Sequence, residues 1–249
     1  MSRPVLAVEG ASRAFGGVQA VRDVSFTLDA GRRLAIIGPN GAGKSTLFNL
    51  LNGQIPLDRG RIRIGSTDTA GLRPERVWRL GVGRTFQVAA TFASMTVREN
   101  AGVALLSYRG SLGRLFGDAG RAVRREADDL LDRVGLAPLA DAPCAALAYG
   151  DAKRLELAMA LANRPSLLLM DEPTAGMAPA ERGQLMRLVS NLALRDGVAV
   201  LFTEHDMAVV FGHADRILVL DRGAVIAEGA PDAIRADPRV RAVYLGEPA

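Results

Sequence analysis

Strand and helix patterns that alternate on both sides of a helical middle predict an α/β fold. These patterns argue for a largely parallel core sheet and an inserted α-helical subdomain. Three observations carry this. Residues 33–37 read as a strand that runs into Gly38-Pro39-Asn40-Gly41-Ala42-Gly43-Lys44-Ser45-Thr46 and then into a helix with Leu47, Leu50 and Leu51 on one face. In the middle of the chain, Val123, Ala127, Leu130, Leu131 and Val134 recur at helical spacing. After Pro165 the pattern becomes strand, helix, strand, helix and hairpin.

In chain order, residues 5–15 and 21–28 are rich in β-branched and aromatic side chains and end at Gly16-Gly17 and Asp29-Ala30-Gly31, which predicts two short strands. The helix that opens at the glycine-rich loop stops around Gly53, and residues 61–64 and 81–87 read as further short strands. From about 92 to 163 the pattern is helical, with Leu155, Ala158, Leu161 and Ala162 as a second stripe. Strands at 167–171 and 198–204 alternate with helices at 180–195 and 206–212. A hairpin of 216–221 and 224–228 then turns at Arg222-Gly223.

With 249 residues, 49% hydrophobic and 23% charged, the chain has the size and mix of one or at most two globular domains. No apolar run approaches the roughly 18 residues of a membrane-spanning helix. Met1-Ser2-Arg3-Pro4 leads into an alternating segment with no apolar signal region, so the expected compartment is the cytosol, and the lone Cys144 agrees. Of 31 basic residues only Lys44 and Lys153 are lysines. The +4 net charge is therefore an arginine effect, and it gives no sign of nucleic-acid binding. Arg121, Arg124 and Arg125, followed by Glu126, Asp128 and Asp129, read as a solvated helix face of mixed charge.

Gly38 to Ser45 matches G-x-x-x-x-G-K-[ST] in the strand–loop–helix context that the motif needs. Its glycines let backbone N–H groups converge on phosphate, and the helix N-terminus adds partial positive charge. Lys44 is placed for the β- and γ-phosphates and the Ser45 hydroxyl for Mg²⁺. One of the chain's two lysines thus sits where a nucleoside triphosphate needs it. The apolar stretch 166–170 followed by Asp171-Glu172 reads as a buried parallel strand that delivers two carboxylates at its C-terminal end, where ligands collect in open α/β sheets. Asp171 suits Mg²⁺ held through water, and Glu172 suits proton abstraction from an attacking water.

Together these segments resemble the ATP-binding subunit of an ABC transporter over the whole chain. The motif order is Phe15, the phosphate loop, Gln87 in Arg84-Thr85-Phe86-Gln87, the signature stretch Leu147-Ala148-Tyr149-Gly150-Asp151, Asp171-Glu172, and His205 in Thr203-Glu204-His205-Asp206. The resemblance implies a P-loop NTPase of the ABC ATPase type, with a mainly parallel core sheet, an N-terminal antiparallel β region and an inserted α-helical subdomain. It implies one cassette over 1–249, with 1–91 and 164–249 as nucleotide-binding core and 92–163 as helical subdomain carrying the signature. It implies ATP and Mg²⁺ as ligands. Phe15 would stack on adenine, while Gly38, Pro39, Asn40, Gly41, Ala42, Gly43, Lys44, Ser45 and Thr46 hold the phosphates. Glu172, His205 and Gln87 would act at the reacting water, with Ser45, Gln87 and Asp171 at the metal. Ala148, Tyr149, Gly150 and Asp151 would face the γ-phosphate of a second subunit, so catalysis is expected only in a dimer. The implied partners are that second ATPase, transmembrane permease subunits on the inner face of the cell membrane, and indirectly a periplasmic solute-binding protein, with no nucleic acid.

Three signature positions depart from the family's Leu-Ser-Gly-Gly-Gln: Ala148 for serine, Tyr149 for glycine and Asp151 for glutamine. Asp151 is accordingly expected to serve the first helical turn. Ala175-Gly176-Met177-Ala178 also lacks the family's usual final aspartate. These departures, with residues 171–179 and 243–247, resemble the ATPases of branched-chain amino acid importers. The resemblance leaves open urea, amide or aromatic-acid uptake and lipid or lipopolysaccharide extraction.

Overall fold

The computed structural model describes residues 3–85, 91–110 and 118–245. In chain order the strands are β1 (Leu6–Phe15), β2 (Val18–Leu28), β3 (Arg33–Ile37), β4 (Arg59–Ile64), β5 (Thr67–Asp68), β6 (Val82–Thr85), β7 (Leu167–Asp171), β8 (Ala199–Thr203), β9 (Arg216–Asp221) and β10 (Ala224–Gly229). The helices are α1 (Lys44–Leu51), α2 (Pro74–Arg79), α3 (Val97–Arg109), α4 (Asp118–Arg133), α5 (Tyr149–Ala160), α6 (Pro179–Asp196), α7 (Met207–His213), α8 (Pro231–Ala236) and α9 (Pro238–Leu245).

Two sheets organise them. An antiparallel sheet has the order β2-β1-β4-β5, and a six-stranded sheet the order β10-β9-β3-β8-β7-β6, parallel except for the β9–β10 hairpin. Each central strand alternates between two cores. Ala35, Ile37, Leu168, Met170, Val200 and Phe202 point to the helical side. Leu34, Ile36, Leu167, Leu169, Ala199 and Leu201 point to α1 and the antiparallel sheet. A parallel sheet covered on both faces must read as unbroken apolar runs, which is what these strands show.

The two helical stripes are buried as their spacing predicts, with Ala127, Leu131, Leu155 and Ala158 all inaccessible. An ion pair of Arg98 with Asp128, at 2.6 Å, joins α3 to α4. The helical reading of 92–163 fails at its start, because α3 begins only at Val97. The reason is local. Asn100, fully buried, accepts from the Phe92 N–H at 2.7 Å and donates to the Phe92 and Thr96 carbonyls, which commits residues 92–96 to a loop. Thr96 and Glu99 then close a capping box at the helix start. The short α2 and β5 carry too little periodicity to be read from sequence, as do α8 and α9.

Candidate functional site

The C-terminal ends of β3, β7 and β8 lie side by side, and the loops that leave them form the site. After β3 the chain turns through the glycine-rich loop into α1, whose N-cap is Gly43 at φ 102°. Only glycine fits there, since a Cβ would lie 2.2 Å from the Ala20 carbonyl oxygen on β2. The turn of the β9–β10 hairpin braces the loop from the other side: Gly223 donates to the Ala42 carbonyl at 3.0 Å and accepts from the Arg22 N–H at 2.7 Å. Lys44 is buried, and its ammonium donates to the Gly38 and Pro39 carbonyls at 2.6 and 3.1 Å. Burial pushes its pKa below the ordinary lysine value, while the carboxylates of Glu172 and Asp171 pull it back up. Ser45, in the first turn of α1, is exposed, as are Asn40 and Gly41 on the rim of the loop.

The ends of β7 and β8 are joined residue by residue. Thr203 Oγ1 donates to Asp171 Oδ1 at 2.7 Å and accepts from the Glu172 N–H at 3.0 Å. Glu172 adopts φ 49°, a left-handed conformation that costs a non-glycine residue of order 1–3 kcal/mol and that the Thr203 bonds hold in place. Its carboxylate reaches His205 Nε2 at 2.7 Å. One step further out, the buried Glu204 accepts from both the N–H and the hydroxyl of Thr174, at 2.8 and 2.7 Å, and from the His205 N–H at 3.2 Å. Asp206 in turn caps α7 and pairs with Arg182 at 2.7 Å, and the Arg182 bond holds its carboxyl below the usual range. The result is a carboxylate and an imidazole in direct contact on a cross-braced platform beside the lysine loop.

The other sequence-derived residues are distributed as follows. Phe15 ends β1, partly exposed, with the Arg13 guanidinium 4.8 Å from its ring centroid. Gln87 lies outside the described residues. Ala148 is the N-cap of α5 and offers no side-chain bond to it. Tyr149 and Gly150 form the first turn with Asp151, which pairs with Arg154 three residues on. Asp151 thus takes the first-turn role expected of it.

A family model described as "ABC transporter" matches residues 21–175, and one described as "Branched-chain amino acid ATP-binding cassette transporter" matches residues 224–249. The chain is 41% identical over 254 aligned residues to the high-affinity branched-chain amino acid transport ATP-binding protein LivG of Salmonella typhimurium, covering 99% of this chain and 100% of that one. The chain belongs to the ABC transporter family. Its fold superposes with a TM-score of 0.87 on the crystal structure of a nucleotide-free ATP-binding cassette from an ABC transporter, at 30% identity, covering 98% of this chain and 100% of that one. A dimeric cassette in a post-hydrolysis state, bound to ADP and Pi, matches with a TM-score of 0.77 at 25% identity, covering 91% of this chain and 98% of that one. As a member of this family the cassette binds ATP and hydrolyses it to power transport.

Sequence reasoning missed Glu204 and Thr174, the pair that ties the turn after β7 to the His205 loop. The only signal was an acid next to the histidine at the end of an apolar strand. It also missed the partner of Tyr149 described below. The N-cap position yields a direct test in the cassette. Ala148→Ser supplies the missing cap oxygen and is expected to stabilise the fold by about 1 kcal/mol, read as a higher Tm. Its effect on hydrolysis is expected to be modest if the first-turn N–H groups carry the phosphate contact. A gain of about tenfold, the scale of one hydrogen bond to a charged group, would show that the hydroxyl itself is needed.

Proposed function

We propose that this cassette is the motor of an importer for branched-chain or other hydrophobic amino acids, paired with an identical or homologous chain and docked on separate permease subunits at the inner face of the cell membrane. The Glu172–His205 contact beside the Lys44 loop carries the catalytic part of this reading. Glu172 takes the proton of the attacking water, and His205 orients Glu172 and meets the γ-phosphate. The loop N–H groups and Lys44 hold the β- and γ-phosphates, Phe15 stacks on adenine, and Gln87 approaches the water. The Ser45 hydroxyl and the Asp171 carboxylate, oriented by Thr203, are hard oxygen donors that fit Mg²⁺. When bound, that ion neutralises charge on the phosphate oxygens.

The division of labour follows the chain: 1–91 and 164–249 as nucleotide-binding core, 92–163 as the helical lobe whose signature faces the second subunit's nucleotide. Among the described residues no helix is long and apolar enough to cross a membrane, so the reading assigns that crossing to the permeases. A cleft of about 440 Å³ between core and helical lobe, lined by Trp78, Val82, Arg84, Ala104 and Met159 among others, is the surface offered to them. The match of residues 224–249 and the name of the LivG relative support the cargo, delivered by a periplasmic solute-binding protein.

Deleting the gene is expected to abolish energy-dependent uptake of radiolabelled leucine, isoleucine and valine, restored by the wild-type chain but not by Glu172→Gln. Unimpaired leucine uptake together with lost uptake of urea, short amides or aromatic acids would transfer the cargo to those solutes.

A further inference from the structure

Tyr149 stands where the family's signature carries glycine, and its side chain is already engaged within its own chain. Its hydroxyl donates to the Ala175 carbonyl at 3.1 Å, 26 residues away. Its ring lies over Gly176, at φ 77°, where a Cβ would come 3.4 Å from the ring's Cε1. The Lys153 ammonium sits 5.9 Å from the ring centroid on the helical side. The next residue lies close to the start of α6. A Cβ on Gly150 would come 2.9 Å from Glu181 Oε1, and Glu181 Oε2 accepts from the Ala178 N–H at 3.2 Å as α6 begins. The start of α5 is therefore bonded to the turn 175–178 through the Tyr149 hydroxyl and closely approached by Glu181 at the next residue.

We propose that Tyr149 is a positioning residue: it latches the signature turn to the turn after β7, so that the two segments meet a second copy of this chain as one rigid body. The inference rests on the two-chain reading above. A glycine at 149 has no atoms beyond the backbone with which to make the latch, and an alanine at 148 has no hydroxyl for the phosphate. The contact to the partner's γ-phosphate then falls to backbone N–H groups of α5's first turn, whose aim depends on what holds that turn. The tyrosine hydroxyl is spent on Ala175, which fixes the aim. The latch compensates for the missing serine by pre-organisation, and it couples signature and post-β7 turn within each subunit.

The test uses the full-length chain. In a Glu172→Gln background, ATP-dependent dimerisation is followed by light scattering for Tyr149 and for Tyr149→Phe, which removes only the hydroxyl. With Glu172 intact, kcat is compared with the affinity of dilute protein for a fluorescent ATP analogue. Loss of one net hydrogen bond predicts about a two- to tenfold weaker dimer and a similar fall in kcat, with analogue affinity unchanged and Tm lowered by no more than a few degrees. Normal dimerisation and kcat in Tyr149→Phe overturn the latch alone, as does a loss accompanied by a fall in Tm well beyond that of one hydrogen bond. A Glu172→Gln chain that stays monomeric in ATP overturns pairing with an identical chain and the latch with it.

Discussion

Glu172→Gln is expected to lower ATP turnover by about 10²- to 10⁴-fold, the range a positioned general base contributes, while leaving ATP binding intact. The substitution keeps the shape. The amide oxygen can still accept from His205 Nε2, which lies 2.7 Å from Oε1, and the backbone N–H keeps its bonds to Thr203. What disappears is the capacity to take a proton. Because residue 172 is held at φ 49° by those backbone bonds, the side chain is aimed by the β7–β8 junction and not by its own charge, so neutralising it should not reorganise the site. Phosphate release in steady state measures the loss, and nucleotide retained after gel filtration measures the binding that remains. Turnover within a few-fold of wild type would remove Glu172 from the role of base. His205→Ala gives the companion comparison. It removes the imidazole that touches Glu172, so a defect in kcat larger than in KM is the signature of a shared role.

The parts of this site that were legible in the sequence are those written in consecutive residues. The phosphate loop announces itself because glycine, lysine and serine are needed at fixed spacing within one turn. Asp171 and Glu172 follow an apolar run that only a doubly covered strand can bury. The amphipathic stripes of α4 and α5 were legible for the same reason, since one helical face must be apolar wherever it packs. What stayed hidden depends on pairs far apart in the chain. Nothing near Glu204 foretells that Thr174, 30 residues earlier, supplies two donors to its buried carboxylate. Nothing near Tyr149 points to Ala175, and nothing in the composition of 92–96 reveals that Asn100 will claim Phe92's backbone at the expense of a helix turn. Strand and helix order follow from local period, whereas aim and bracing come from side-chain contacts that only the folded topology brings together.

Lys44→Ala is expected to weaken ATP binding by about 10- to 100-fold or more, the scale of losing a hydrogen-bonded charge against phosphate. The ammonium is shielded from water and held by the Gly38 and Pro39 carbonyls, and burial acts against its charge. Two nearby carboxylates, Asp171 and Glu172, favour the charged form, so the lysine also balances the acidic end of β7. Removing it therefore has two consequences. The triphosphate loses its point charge, and the polyanion must approach Asp171 and Glu172 without an intervening cation, which makes the loss larger than that of one contact. Lys44→Arg separates charge from shape: the guanidinium keeps the charge but is too broad for a buried position between two loop carbonyls, and it is expected to bind ATP poorly as well. Calorimetric titration with ATP reads both variants, and circular dichroism confirms the fold. Affinity preserved in Lys44→Ala would detach this loop from the phosphates, and affinity preserved in Lys44→Arg alone would make the charge sufficient and the fit of the lysine dispensable.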